Sequence, residues 1–246
     1  MQSTLQQPTE QIETTQSEAS PFRPYIKPFS IAGHALRFFF ATPEAQAWYD
    51  PIKPHTRLEY EWIVKNLDLT NETVVDVGTH HGHYALVLAA MKPKKLICVD
   101  AVESNCAIAE ANLALNGFNP SIRHCAITTK NDKVQFTADS NGRVVERGVI
   151  EVQGLRIPTL EPAATVIKLD IEGEEFRVIP DQIDELPNVH TWVIEIHPWK
   201  TRNPLDLMPL LTSRFDVQWI NRAAMSVEPY PDDADWSVHT TVICRR

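Results

Sequence analysis

Residues 73–91 read TVVDVGTHHGHYALVLAAM, and this stretch decides the fold. Thr73 to Val77 are β-branched apart from Asp76, the mark of a buried strand. Gly78 and Gly82 follow, with His80 and His81 between them and His83 just after. Tyr84 to Met91 is an apolar helical run that Pro93 stops. Strand, glycine turn and helix together open a nucleotide-binding α/β unit. Glycine lets backbone approach a ligand closely. The helix N-terminus adds unpaired N–H groups and the positive end of a dipole.

The alternation continues outward from there. The pattern predicts strands at 95–99, 121–127, 165–169 and 191–196. Helices are expected at 82–92 and 104–116, the second closed by Asn116-Gly117. Residues 133–138 and 144–152 alternate around 139–142 and predict a hairpin inserted beside the sheet. A short helix from Gly173, a helix over 204–211 and strands at 215–220 and 238–244 complete the chain. The expectation is an α/β fold with a seven-stranded, mostly parallel sheet and an antiparallel last strand.

Upstream, residues 1–20 hold three acids, no bases and few aliphatics, which predicts a disordered tail. Residues 21–69 read as an N-terminal arm and lid helix. Pro21, Pro24 and Pro28 extend the entry, 29–40 suits a hairpin arm, and 42–49 a short helix. Leu58, Trp62, Ile63 and Leu67 lie at helical spacing in 55–67. Residues 70–246 form the ligand-binding domain, with 55–67 and 133–152 as candidate lids.

Composition narrows the function classes. The 246 residues are 43% hydrophobic and 22% charged, enough for a sizeable core. Net charge is −9 and no basic run exists, which argues against nucleic-acid and membrane partners. The four cysteines form no CxxC pair, so free thiols and a cytoplasmic location are expected.

The turn is not the dinucleotide fingerprint G-x-G-x-x-G, because His80 occupies the middle glycine position. A nicotinamide oxidoreductase is therefore disfavoured. What stands is D-x-G-x-x-x-G. An acid ending the first strand suits a ligand amine, and S-adenosylmethionine (SAM) carries an ammonium beside a carboxylate. Asp100, which ends the second strand, is placed to accept both ribose hydroxyls. Ala126 and Ile127 are placed to flank an adenine.

A second constellation is VIKLDIEGEE, residues 166–175. Lys168, Asp170 and Glu172 alternate at the carboxyl end of a strand, where open α/β sheets bind ligands. The next strand ends Glu195-Ile196-His197-Pro198. Asp170 and His197 are the candidate bases, with Glu172 and Glu195 orienting the acceptor or Lys168. A metal cluster of His81, Asp170, Glu172 and His197 is chemically conceivable, but no recognised ligand spacing calls for one, and no metal is expected.

Three blocks resemble the FkbM family of SAM-dependent methyltransferases. VVDVGTHHGHYALVLA resembles its D-V-G-A-N-x-G turn. ICVDAVESNCAIAEANLALNG resembles its second strand acid and helix. VIKLDIEGEEFRVI resembles its K-x-D-x-E-G-x-E block, and VIEIHP is also similar. The resemblance implies a Rossmann-like methyltransferase fold and O-methylation of a small hydroxylated acceptor, a sugar or natural product. It implies that Asp76, Gly78 and Gly82 hold the methionine part of SAM, Asp100 the ribose, and that Asp170 sits near the methyl group and acceptor, with His80 and Ala126 also expected to bind the cofactor. His80 replaces the usual Asn, His83 stands at a position usually aromatic or small, and Asp100 replaces the commoner Glu. The altered turn leaves a second reading, a non-catalytic SAM-binding scaffold or sensor.

Overall fold

A computed structural model describes residues 21–137, 142–197, 207–231 and 240–246. The expected tail, 1–20, lies outside the described residues, as do parts of the segments expected at 204–211 and 238–244.

The chain enters through a hairpin, β1 (Tyr25–Ile31) and β2 (His34–Phe40), whose turn residues Ala32 and Gly33 both have positive φ, as a tight two-residue turn requires. Two helices follow, α1 (Pro43–Tyr49) and α2 (Pro54–Asn66). Strands and helices then alternate: β3 (Thr73–Val77), α3 (His83–Ala90), β4 (Lys95–Asp100), α4 (Glu103–Leu115) and β5 (Ser121–His124). A satellite sheet is built from β6 (Ala126–Ile127), β7 (Lys133–Phe136), β8 (Val144–Val145) and β9 (Ile150–Leu155). After α5 (Ile157–Leu160) come β10 (Val166–Leu169), α6 (Glu175–Gln182), β11 (Thr191–Ile196) and α7 (Met208–Thr212). The chain closes with β12 (Asp216–Asn221), β13 (Ser226–Pro229) and β14 (Thr240–Arg245).

The main sheet runs β13-β12-β14-β11-β10-β3-β4-β5. The strands from β11 to β5 are parallel, and β14 runs antiparallel to both β11 and β12. All seven expected strands are present, and β13 adds an eighth as a hairpin on β12. The expected strand 121–127 is divided. Its first half pairs with β4, and Ala126–Ile127 pairs instead with β9 in the satellite sheet.

Both faces of the sheet are covered, which is why β3, β4 and β10 are apolar along almost their whole length. On one face Ile167, Leu169 and Trp192 pack with Val178 and Ile179 of α6 and Leu211 of α7. On the other, Val74 and Val166 pack with Leu86, Leu113, Ile63 and Phe38. The arm is therefore part of the core. From β3 the chain steps outward to β4 and β5, then returns to β10 on the opposite side of β3. The crevice at the carboxyl ends of β3 and β10 is the topological switch point where such sheets bind ligands.

One side chain fastens the arm to that crevice. Asn112 of α4 is fully buried; its Oδ1 accepts from Phe39 N (2.6 Å), and its Nδ2 donates to His81 O (2.9 Å) and Phe39 O (3.3 Å). Replacing it strands buried backbone groups on both the arm and the glycine turn. Asn112→Leu is expected to lower unfolding free energy by about 2–4 kcal/mol in urea denaturation, since each orphaned buried group costs about 1–3 kcal/mol.

Candidate functional site

A cavity of about 710 Å³ opens along the carboxyl ends of β3, β4, β10 and β11. Its first half is walled by the glycine turn. Gly78 has φ +76, and a Cβ there would sit 1.8 Å from the backbone oxygen of Asp170. Only glycine lets β3 and β10 close so tightly at the crevice. Val77, Gly78, Thr79 and His80 line the cavity, and Asp100, Ala126 and Ile127 face them.

Asp100 is the most organised group of that half. Its Oδ2 accepts from His80 N (2.8 Å), and its Oδ1 from Val102 N (2.9 Å) and Asn105 Nδ2 (3.1 Å). Burial nevertheless pushes its pKa up to about 6, against these hydrogen bonds. A carboxylate has about four acceptor sites, and three are taken, so one hydroxyl arriving from the cavity finds capacity there.

The structure does not bring every expected residue to the cavity wall. Asp76 is wholly buried inside β3, and its Oδ2 accepts from Thr79 Oγ1 at 2.8 Å. It shapes the turn through Thr79 rather than facing the cavity, because β3 is covered on both faces. Gly82 caps α3, and a Cβ there would meet Ala109 Cα at 3.1 Å. Its service is the close packing of α3 on α4. Gly78, His80, Asp100 and Ala126 do line the cavity.

The turn histidines have separate duties. His80 adopts left-handed φ (+48), the conformation that the family's Asn takes readily. Its Nδ1 lies 3.1 Å from Tyr49 Oη, and Trp48 packs on its ring. His83 is sandwiched between Tyr49 (4.5 Å, 3°) and Phe29 (4.9 Å, 16°), with Tyr60 Oη 2.9 Å from Nδ1. Burial pulls its pKa down to about 3, so it is a neutral ring serving as the aromatic usual at that position. His81 is buried beneath His80 and away from the cavity.

The second half of the cavity is acidic. Lys168 Nζ, held buried on β10, pairs with Asp170 Oδ2 at 3.0 Å. Burial opposes its charge, but Asp170, Asp76 and Glu195 outweigh it and hold the ammonium on. Burial likewise opposes ionisation of Asp170, and Lys168 and His197 overcome it, so its pKa falls below the usual range. Glu195 hydrogen-bonds to Asp170. Burial first, and Asp170 second, push Glu195 up to about 8. His197 ends β11; its Nδ1 lies 2.5 Å from Glu175 Oε1, while its Nε2 lies 3.6 Å from Asp170 Oδ1 and 3.8 Å from Glu172 Oε1. Glu172, like His80, has left-handed φ (+54).

Helix α2 supplies wall residues that local pattern did not signal. Glu59 and Tyr60 face the cavity from it, and Trp48 and Tyr49 do so from α1. Glu59 Oε2 accepts from Thr241 Oγ1 of β14 at 2.8 Å, and burial raises its pKa.

A doubly covered α/β sheet with a glycine turn and an acid at each of two successive strand ends defines a nucleoside-binding protein of the Rossmann-like class. The family model described as the methyltransferase FkbM domain matches residues 76–218, more than half of the chain, which therefore belongs to the FkbM methyltransferase family. SAM is its cofactor and methyl transfer its reaction class. Several solved methyltransferase structures are similar to the chain, and the first of the following shares its fold. A SAM-dependent methyltransferase from Agrobacterium tumefaciens is 14% identical with TM-score 0.54, over 93% of this chain and 71% of that one. The magnesium protoporphyrin IX methyltransferase of Synechocystis PCC 6803, with bound SAM, is 12% identical with TM-score 0.47, over 78% and 79%. An rRNA methylase from Streptococcus thermophilus is 11% identical with TM-score 0.48, over 79% and 98%. At these identities the likeness is one of fold alone. No curated protein matches. Among the described residues, no helix is long and apolar enough to cross a membrane.

The raised pKa of Asp100 gives the site a pH signature. The folded chain holds this proton up to about 6, above the 3.8 of a free side chain. Its contribution to folding stability therefore falls as pH rises from about 4 to 6. A ligand hydroxyl donated to Asp100 would favour the ionised form, so the affinity of SAM, were its ribose held there, would run the opposite way. Calorimetry is expected to show affinity rising as pH climbs through about 6 and levelling off above it. Asp100→Asn is expected to bind about 10–100-fold more weakly at pH 7.5 and to lose this dependence, the worth of hydrogen bonds to a charged group.

Proposed function

We propose that this chain methylates a hydroxyl of a small acceptor, a sugar or natural product, at the acidic end of the cavity. The observation that carries this reading is the continuity of the two halves. The Gly78–Asp100 wall suits a nucleoside, and the same cavity ends at Asp170, whose backbone packs against Gly78. The residues fit SAM: Gly78 leaves the backbone bare where its methionine part would lie, Asp100 would take the ribose, and Ala126 and Ile127 would flank the adenine. When bound, SAM supplies an electrophilic methyl group on sulfur.

The chain's own work is alignment and proton removal. Asp170 is the group that takes the acceptor's proton, because it stands nearest the glycine turn. Lys168 fixes the Asp170 carboxylate through Oδ2 at 3.0 Å and leaves Oδ1 toward His197 and the cavity. Glu172 and His197 orient the acceptor from the side. Trp48, half-buried beside His80, offers an aromatic face of the kind that packs on sugar rings and flat natural products. Helix α2 forms a wall of the pocket, and residues 21–69 belong with the acceptor side. The acidic surroundings of the acceptor end disfavour a nucleic-acid phosphate backbone.

Asp170→Asn tests this directly. The turnover number is expected to fall about 10²–10⁴-fold, the usual weight of a positioned base, with SAM affinity changed less than about threefold. A panel of hydroxylated acceptors with labelled SAM, beside a total RNA arm, reads the substrate class. Methyl transfer to RNA and to none of the small acceptors overturns the small-molecule reading. Binding of SAM with no transfer to any acceptor favours the scaffold or sensor.

A further inference from the structure

We propose that Asp170, Glu172 and His197 hold a divalent metal ion at the acceptor end of the cavity. This deepens the reading of that end as the acceptor site and rests on it for the ion's purpose, but not for the ion's binding.

The sequence spacing alone does not call for a metal; the fold assembles the site from two strand ends. Asp170 and Glu172 leave the end of β10 and His197 the end of β11. One ligand atom from each lies within 4.8 Å of the other two. His197 Nε2 stands 3.6 Å from Asp170 Oδ1 and 3.8 Å from Glu172 Oε1. Those separations exceed a hydrogen bond. They lie a few tenths of an ångström beyond the ligand-to-ligand edge of about 3.4 Å that tetrahedral bonds of about 2.1 Å produce. Inward movement of the three side chains, whose Asp170–Glu172 separation lies within 4.8 Å, closes the shell.

An independent observation comes from the far side of the imidazole. Glu175 is completely buried; its Oε1 lies 2.5 Å from His197 Nδ1, and its Oε2 has no hydrogen-bond partner among the described residues. A buried carboxylate on the rear nitrogen is how metal-binding histidines are oriented, and it makes the front nitrogen a better donor. Lys168 occupies the other oxygen of Asp170, so it orients that ligand and leaves Oδ1 for the ion.

The donor set is one nitrogen and two carboxylates, which suits Mn²⁺, Fe²⁺ or Zn²⁺ better than Ca²⁺. Three protein ligands leave positions facing the cavity. An acceptor with two neighbouring oxygens, such as a vicinal diol or a hydroxy acid, would fill them. The ion would fix that pair and acidify the reacting hydroxyl; with Oδ1 on the ion, Asp170 would serve as a ligand rather than as the free base, and the hydroxyl proton would pass to water in the open cavity. The acceptor class narrows accordingly to molecules able to chelate.

The test uses the full chain, stripped with chelator and titrated with Mn²⁺ while electron paramagnetic resonance follows the free ion. Wild type is expected to bind one Mn²⁺ per chain. Glu172→Gln and His197→Gln are each expected to weaken it at least tenfold, while circular dichroism and SAM calorimetry stay at wild-type values. Asp100→Asn should lose SAM affinity and keep the metal, so failure of the metal site and failure of the SAM site read differently. Wild type and both variants binding Mn²⁺ equally, or wild type binding none of Mn²⁺, Fe²⁺ and Zn²⁺, overturns the proposal. Should one variant unfold, the other decides.

Discussion

The close approach of β3 and β10 at Gly78 and Asp170 is the constraint on which the site depends. With no side chain at Gly78, the two strand ends meet at a distance that any Cβ would forbid. Lys168 then sits in register beside Asp76 and between the strands' carboxylates. Its ammonium is buried, which is costly without partners, and Asp170, Asp76 and Glu195 supply the opposing charge. One glycine and one lysine thus bring the nucleoside end and the acidic end of the cavity into a single hollow. The same crowding makes Glu195 hold its proton while Asp170 gives its up.

Much of this was legible in the chain. The β-branched run at 73–77, the acids closing β3 and β4, and the K-x-D-x-E-G-x-E block all announce themselves locally, because buried parallel strands must be apolar and their charged ends must be functional or paired. The hairpin at 133–152 was legible too, from its alternation. Its partners were not. Ala126–Ile127 leaves the main sheet to pair with β9, after Cys125 N has bonded to Asp100 O and extended the pairing with β4. The eighth strand, β13, is four residues long and carries too little pattern to stand out.

Other features rest on distant contacts that no local period encodes. Asp76 reads as a ligand-facing acid, yet the arm and α3 bury its face of the sheet; Thr79 takes its Oδ2, and its Oδ1 has no hydrogen-bond partner among the described residues. His83 reads as a departure from the family, yet it stacks as an aromatic would between Tyr49 and Phe29. Glu59 looks like any charge on an amphipathic helix until α2 lies over the cavity and Thr241 meets it. Asn112 looks like part of a helix end and instead joins the arm to the glycine turn. In each case the sequence carries the residue and the fold supplies its partner.

A crystal structure with S-adenosylhomocysteine tests the account most directly. A ribose hydroxyl is expected on the Asp100 carboxylate, the adenine against Ala126 and Ile127, and the sulfur facing Asp170 across the hollow beside Gly78. A nucleoside lodged elsewhere, or one whose sulfur points away from Asp170, contradicts it.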